Sequence, residues 1–283
     1  MHRTWTPYAF VLPAAVALGV FVGLSVVQAV YTSFTRSTAF APAQWVGMEN
    51  YRRLMSDERF WACLVNSVVY LLVTPVLVAM SLWAALVVRS GIRGHKPLRL
   101  LLFLPVVTPT IVGAAAWRLL LNSDGLANSA LHFIGIGGVP WLTQYPWTLV
   151  SPMLVTLWKG FGFYMMIFLS ALLGVPRELE EAADLDGAGR LGVFWHVTLP
   201  QIRPMVLLVL IVSSISAMKV FDEIFVTVRG VPISHQTVVP LVYDWAAERG
   251  DYGMASAVGI VLFVVVLAMS AVQLRLSQRR GEA

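Results

Sequence analysis

The chain has a single cysteine, Cys63, among 283 residues, so it can form no internal disulfide and offers no second thiol for a metal pair. Its five histidines, His2, His95, His132, His196 and His235, stand apart without H-x-x-x-H spacing, which argues against a zinc site. No G-x-x-x-x-G-K run followed by Ser or Thr occurs, so the chain has no phosphate-cradling loop of its own. No G-x-S-x-G precedes a helix and no carboxylate pair marks a cleft. As an isolated polypeptide the chain is therefore expected to catalyse nothing and to bind no cofactor. Charge is scarce as well: Asp, Glu, Lys and Arg make up 12% of the residues, against roughly 25% in an ordinary soluble domain.

What is abundant is apolar length. Hydrophobic residues reach 58% and the mean hydropathy is +0.75. Several runs exceed the roughly 18 residues that mark a membrane-spanning helix. Six spans are expected, at 8–31, 62–88, 98–121, 147–173, 205–227 and 255–274, which makes the fold class all-α and polytopic. The first apolar run outlasts a signal-peptide core of about 7–15 residues, so it is read as an uncleaved helix. Three parts follow: an N-terminal span with its outer connection over 1–61, a five-helix membrane domain over 62–275 and a short tail over 276–283.

The net charge of +5 does not point to nucleic acid, because the basic residues sit singly or in pairs at the ends of apolar runs. One side collects Arg3, Arg89, Arg93, Lys96, Arg99, Arg177, Arg190, Arg203, Arg275, Arg279 and Arg280. The other holds only Arg36, Arg52, Arg53, Arg59, Arg229 and Arg249. The richer side is expected to be cytoplasmic, with both termini and the 177–203 connection. Outside, 32–61 reads as a short surface helix, and 122–146, with six Gly and Pro and no Lys or Arg, as an irregular loop.

The 177–204 segment is the one long polar stretch between membrane-grade runs. Pro176 can open a helix because its missing N–H would be unpaired there anyway. Glu178, Glu180 and Glu181 then lie near the first turn, where the helix dipole favours negative charge. Gly187 and Gly189 end that helix, and a second helical piece from Arg190 to Leu199 is closed by Pro200 and Pro204. With Asp184 and Asp186, five acids stand against three arginines. A solvated loop would have this composition, and so would an acidic knob shaped for a basic cleft on a soluble partner.

On the opposite side, Lys219, Asp222 and Glu223 are costly at membrane depth unless paired or facing water. Helical spacing of three and four would let Lys219 pair with either acid, and a role in gripping substrate is the alternative. Ser213, Ser216, Ala217 and Val220 share one helix face, suited to packing or to lining a polar cavity. Trp158, Phe163 and Tyr164 in the preceding span could stack on sugar rings or simply pack.

Between Glu181 and Pro200 the chain resembles the EAA loop of ABC importer permeases, whose pattern is E-A-A, three residues, G, nine residues, I, one residue, L-P. Glu181, Ala182, Ala183, Gly187, Val197, Leu199 and Pro200 fill it in register, with Asp186 inside the same stretch and Val197 in place of Ile. Lys219, Val220, Phe221, Asp222, Gly230 and Pro232 resemble the carbohydrate-uptake branch of that family, although Val228 and Val231 depart from its outer turn. The likeness covers nearly the whole chain and is most specific over 62–275, and the large outer insert known in that branch is absent.

The resemblance implies the type I importer permease fold, with a segment that docks on a cytosolic ATPase. Glu181 would meet a basic group there, and Gly187 would permit close approach. It also implies a second permease subunit, two ATPase subunits carrying ATP and Mg, and an extracytoplasmic solute-binding protein. The implied cargo is a sugar, with glycerol 3-phosphate or a polyol as the alternative. Phe163, Tyr164, Ser213, Ser216, Ala217, Lys219 and Val220 are the expected substrate path. An ion-coupled secondary transporter using Lys219 and Asp222 would leave the EAA pattern unexplained and usually shows paired inverted repeats, which are not evident.

Overall fold

Apolar length sets the architecture. A computed structural model describes residues 6–38, 41–91 and 94–279. Among the described residues, five helices are long and apolar enough to cross a bilayer: Phe10–Ser33, Glu58–Arg89, Trp147–Leu173, Arg190–Met218 and Tyr252–Leu276. Lys96–Val107 and Thr110–Leu120 pass the same test of length and composition only together, as a pair that meets at 100°. Arg3, Arg93 and Arg280, counted above for orientation, lie outside the described residues, as does the tail from 280 on.

The bent pair corrects the expectation of one straight span over 98–121. Thr108 is extended (φ −70°, ψ 129°), the conformation that a following proline imposes, and Pro109 has no N–H with which to continue the ladder. The expected 205–227 span is corrected at both ends. Its helix starts at Arg190, stops at Met218, and is followed by a separate short helix, Asp222–Thr227. Pro200 and Pro204 therefore do not close the preceding segment. A π turn over Phe194–Thr198 lets the Leu199 N–H reach the Phe194 carbonyl, so the helix widens just before Pro200 and carries on through it.

The described chain divides into two units, residues 1–61 with 241–265, and residues 62–240 with 266–283. In the first, the expected surface helix exists as Glu49–Met55, but it is preceded by an antiparallel hairpin, Thr35–Thr38 with Ala41–Trp45. Buried Asn50 ties helix to hairpin by donating to the Ser33 carbonyl (2.9 Å) and the Thr35 carbonyl (2.8 Å). Gly253 lies so close to the Thr35 carbonyl that a Cβ there would overlap it.

In the second unit the core lies between Val73–Arg89, Trp147–Leu173 and Leu199–Met218. Leu77, Ala85, Met165, Phe168, Leu172 and Val209 fill it. Small residues bring the backbones together, as membrane helices require in the absence of a strong hydrophobic drive between them. Ser81 Oγ donates to the Phe161 carbonyl (3.1 Å), and Gly162 rests directly on the Leu102 carbonyl. The 122–146 connection, read as irregular, contains a short helix at Leu126–Phe133.

Candidate functional site

The break after Met218 opens onto a cavity of about 460 Å³, which Val106, two residues before the bend at Thr108, also lines. All seven residues expected on the path, Phe163, Tyr164, Ser213, Ser216, Ala217, Lys219 and Val220, line it. Ser213 Oγ donates to the Val209 carbonyl (2.7 Å) and Ser216 Oγ to the Val212 carbonyl (3.0 Å). Each hydroxyl proton is thereby spent on the helix, so the serines offer lone pairs rather than donors. Phe163 is exposed and stands edge-on to buried Tyr164, their centroids 5.2 Å apart. The wall thus presents the exposed Phe163 ring and the exposed Ser216 oxygen, while Ser213 is buried. Trp158, also considered for this wall, is not on it; it packs edge-on against Trp117 at 6.2 Å, over Gly113.

The charged residues fall differently from the expectation. Lys219 lies just past the end of its helix, so the i to i+3 and i+4 geometry does not exist. Among the described residues no ion pair joins it to Asp222 or Glu223. All three line the cavity, together with Lys159, a residue sequence reasoning passed over. Lys159 donates from Nζ to the Thr108 carbonyl (2.8 Å), at the 100° bend. Its position inside an apolar run was the available signal, because an intramembrane lysine is costly without a task. Two ammonium groups and two carboxylates therefore share the lining.

The acidic segment occupies the other end of the same helices. Its first helix, Arg177–Leu185, follows Pro176 as expected. Glu180 turns inward, where both its oxygens meet the Arg89 guanidinium at 2.8 and 2.9 Å and the Thr198 hydroxyl donates to it at 2.7 Å. Partial burial pushes the Glu180 carboxyl up. The hydrogen bonds from Arg89 and Thr198 and the charges of Arg89 and Arg177 outweigh that and hold it below the ordinary carboxylate range. Sequence reasoning grouped Glu180 with its neighbours and missed this clamp, whose partners are 91 and 18 residues away.

Glu181, Ala182 and Asp186 are exposed, and Ala183 is partly buried. Leu185 beside them is 89% exposed, an apolar tip in an acidic setting. Gly187 (φ +84°) ends the helix. The Ala188 N–H donates to the Ala183 carbonyl (3.0 Å) and the Gly187 N–H to the Asp184 carbonyl (3.1 Å), the paired bonds of a Schellman cap. No atom lies within 4 Å of where a Gly187 Cβ would be, so glycine is required here for conformation and not for space inside the chain. Gly187→Val is accordingly expected to cost about 1–2 kcal/mol locally. The check is faster proteolysis at 186–190 with an unchanged global melting temperature. Val197 is partly buried, Leu199 packs on the core and Pro200 is exposed.

Residues 12–282 match the family described as the binding-protein-dependent transport system inner membrane component, and the chain belongs to that family. It is 33% identical to the trehalose/maltose transport system permease protein of Thermococcus litoralis, over 97% of this chain and 94% of that one. It is 33% identical to the arabinooligosaccharides transport system permease protein of Halalkalibacterium halodurans, over 96% and 87%. The sulfoquinovosyl glycerol transport system permease protein of Agrobacterium fabrum is 31% identical over 93% and 87%. The fold is that of a solved bacterial ABC transporter involved in the import of the acidic polysaccharide alginate (TM-score 0.85, 23% identity, 98% of this chain and 96% of that one).

Proposed function

We propose that this chain forms half of the translocation path of an ATP-driven importer for a carbohydrate, and that its acidic segment takes the push of a separate ATPase. The observation that carries this reading is a shared set of helices. Val73–Arg89 begins at the cavity with Val73 and Leu77 and ends in Arg89 of the Glu180 clamp. Arg190–Met218 carries Thr198 of that clamp near one end and Ser213, Ser216 and Ala217 of the cavity near the other. A displacement of the Arg177–Leu185 helix would thus pass along two continuous helices to the cavity walls.

In this assembly a second permease subunit completes the path, and two ATPase subunits with ATP and Mg sit against the acidic segment. A solute-binding protein delivers cargo from outside, and both termini face the cytoplasm. The relatives' named cargoes are sugars or sugar conjugates, which supports a carbohydrate here. An exposed Ser216 oxygen and an exposed Phe163 ring on one wall suit the hydroxyls and apolar face of a pyranose. Lys159 and Lys219 would favour an anionic sugar or glycerol 3-phosphate, but Asp222 and Glu223 on the same wall offset them, so a neutral sugar is the preferred cargo.

Phe163→Ala and Ser216→Ala are each expected to lower sugar uptake by about tenfold, about 1.4 kcal/mol of lost discrimination, with the purified assembly intact. Uptake in proteoliposomes and subunit stoichiometry by gel filtration check both halves. Loss of assembly, or unchanged uptake, would make these packing residues.

A further inference from the structure

Residues 125–158 contain no Asp, Glu, Lys or Arg. That is expected of the membrane helix from Trp147 on, but not of the connection before it if that connection projects into water. The helix Leu126–Phe133 and the turn that follows expose Leu126, Phe133, Ile134 and Ile136, with Phe133 92% accessible. Large apolar residues displayed together on a connection mark a contact surface.

The display is fixed in place. Gly125 lies against the Leu119 and Leu120 carbonyls so closely that a Cβ would overlap the latter, so the helix starts directly on the end of Thr110–Leu120. Buried Asn128 donates to the Ser123 carbonyl (3.1 Å) and accepts from the Val139 N–H (3.0 Å) and Trp141 Nε1 (3.0 Å). The Ile136 N–H donates to the Leu131 carbonyl (2.9 Å) and the Gly135 N–H to the His132 carbonyl (3.0 Å), a Schellman cap with Gly135 at φ +78°. The tip is therefore held by the backbone of both arms of the connection.

We propose that this tip is an interfacial anchor, seated in the headgroup–acyl boundary of the bilayer. Two observations select lipid as its occupant. The exposed apolar residues begin at Leu126, seven positions after exposed Leu119 near the end of the apolar helix Thr110–Leu120, and the tip carries no Asp, Glu, Lys or Arg with which to recognise a polar protein surface. Beside it, Trp141 and Trp147 pack at 5.0 Å and Tyr145 is exposed, the residue types that favour the membrane–water interface. An uncharged tip docked at that depth fixes the height of the Thr110–Leu120 limb in the bilayer.

The test uses the lone cysteine. In the full-length chain, isolated with whatever subunits accompany it, Cys63→Ser gives a background for nitroxide labels at Phe133→Cys, Ile136→Cys, Leu119→Cys and Asp124→Cys. In vesicles of phosphatidylethanolamine and phosphatidylglycerol, collisions with oxygen should outweigh those with a water-soluble nickel chelate at 133, 136 and 119. The ratio should reverse at 124. Dominant nickel collisions at 133 and 136 would place the tip in water. Exclusion of both reagents, with an immobilised spectrum, would place it against a protein partner. Either result overturns the anchor, and neither bears on the sugar reading; having two tip positions guards against one label perturbing the fold.

Discussion

Replacing Gly162 by leucine is expected to leave almost no folded protein. Gly162 sits in the middle of Trp147–Leu173, where even a Cβ would overlap the Leu102 carbonyl oxygen and come within 3.1 Å of Phe103 Cα. The obstacle is backbone, which cannot swing aside as a side-chain tip can. Overpacking of a close-packed core costs about 1–3 kcal/mol when side chains can adjust, and more when helices must separate. Here separation would pull apart the packing around Met165 and Phe168, both fully buried. Gly160, two residues away, is the control, because the nearest atoms a Cβ there would meet are all in side chains, the Leu77 methyls at 3.2 and 3.4 Å and Tyr164 Cε2 at 3.5 Å. Gly160→Ala should cost under about 1 kcal/mol, since alanine also favours the helix over glycine. Fluorescence-detected gel filtration and thermal unfolding in detergent check the pair; a monodisperse Gly162→Leu with a native melting temperature would contradict the close approach.

Arg89→Ala should be the most damaging change at the ends of the spans. It removes a two-pronged, charge-assisted contact and leaves Glu180 with the Thr198 hydroxyl and the charge of Arg177. The side chains are 17% and 22% exposed, so solvent screens part of the loss, and about 1–3 kcal/mol is expected. The larger effect should be functional, because the clamp is the link from the acidic helix to two cavity-lining helices. Uptake should fall further than stability does. The sign with pH is determined by the lowered Glu180 pKa. Its contribution is complete above the ordinary carboxylate range and is lost as pH falls through the depressed folded value. The stability gap between wild type and Arg89→Ala, read from denaturation at neutral pH and in acid, should therefore shrink in acid; a constant gap would mean that Glu180 carries no such contact.

The parts of this molecule that follow local rules were legible in the sequence. Pro176, the acids of the first turn and Gly187 announce a capped helix, and the cap geometry is there. The bend at Thr108 and Pro109 was legible too, since a proline and its predecessor rarely continue a helix; apolar length alone made 98–121 look like one span. The break after Met218 carried no such signal. Lys219, Val220 and Phe221 include neither Gly nor Pro, and Val220 is held by packing with Tyr70, Val73 and Ala217 and by the Thr237 hydroxyl on its carbonyl. Contacts of this kind, like Asn66 donating to the Ser234 carbonyl 168 residues away, have no local signature. The hairpin at Thr35–Thr38 and Ala41–Trp45 escaped for a similar reason, its strands being four and five residues long with a proline in the second.

In the proposed assembly the acidic segment is the site where a separate ATPase acts. Glu181→Lys is the sharpest probe, because Glu181 is exposed and its reversal should change the chain's own stability by no more than about 0.5 kcal/mol. In proteoliposomes containing the full assembly and its solute-binding protein, sugar-stimulated ATP hydrolysis is the quantity to measure. Stimulation and ATPase association should both collapse in Glu181→Lys while the chain keeps its melting temperature. Wild-type stimulation by the variant, with the ATPase still bound, would contradict that role for the segment.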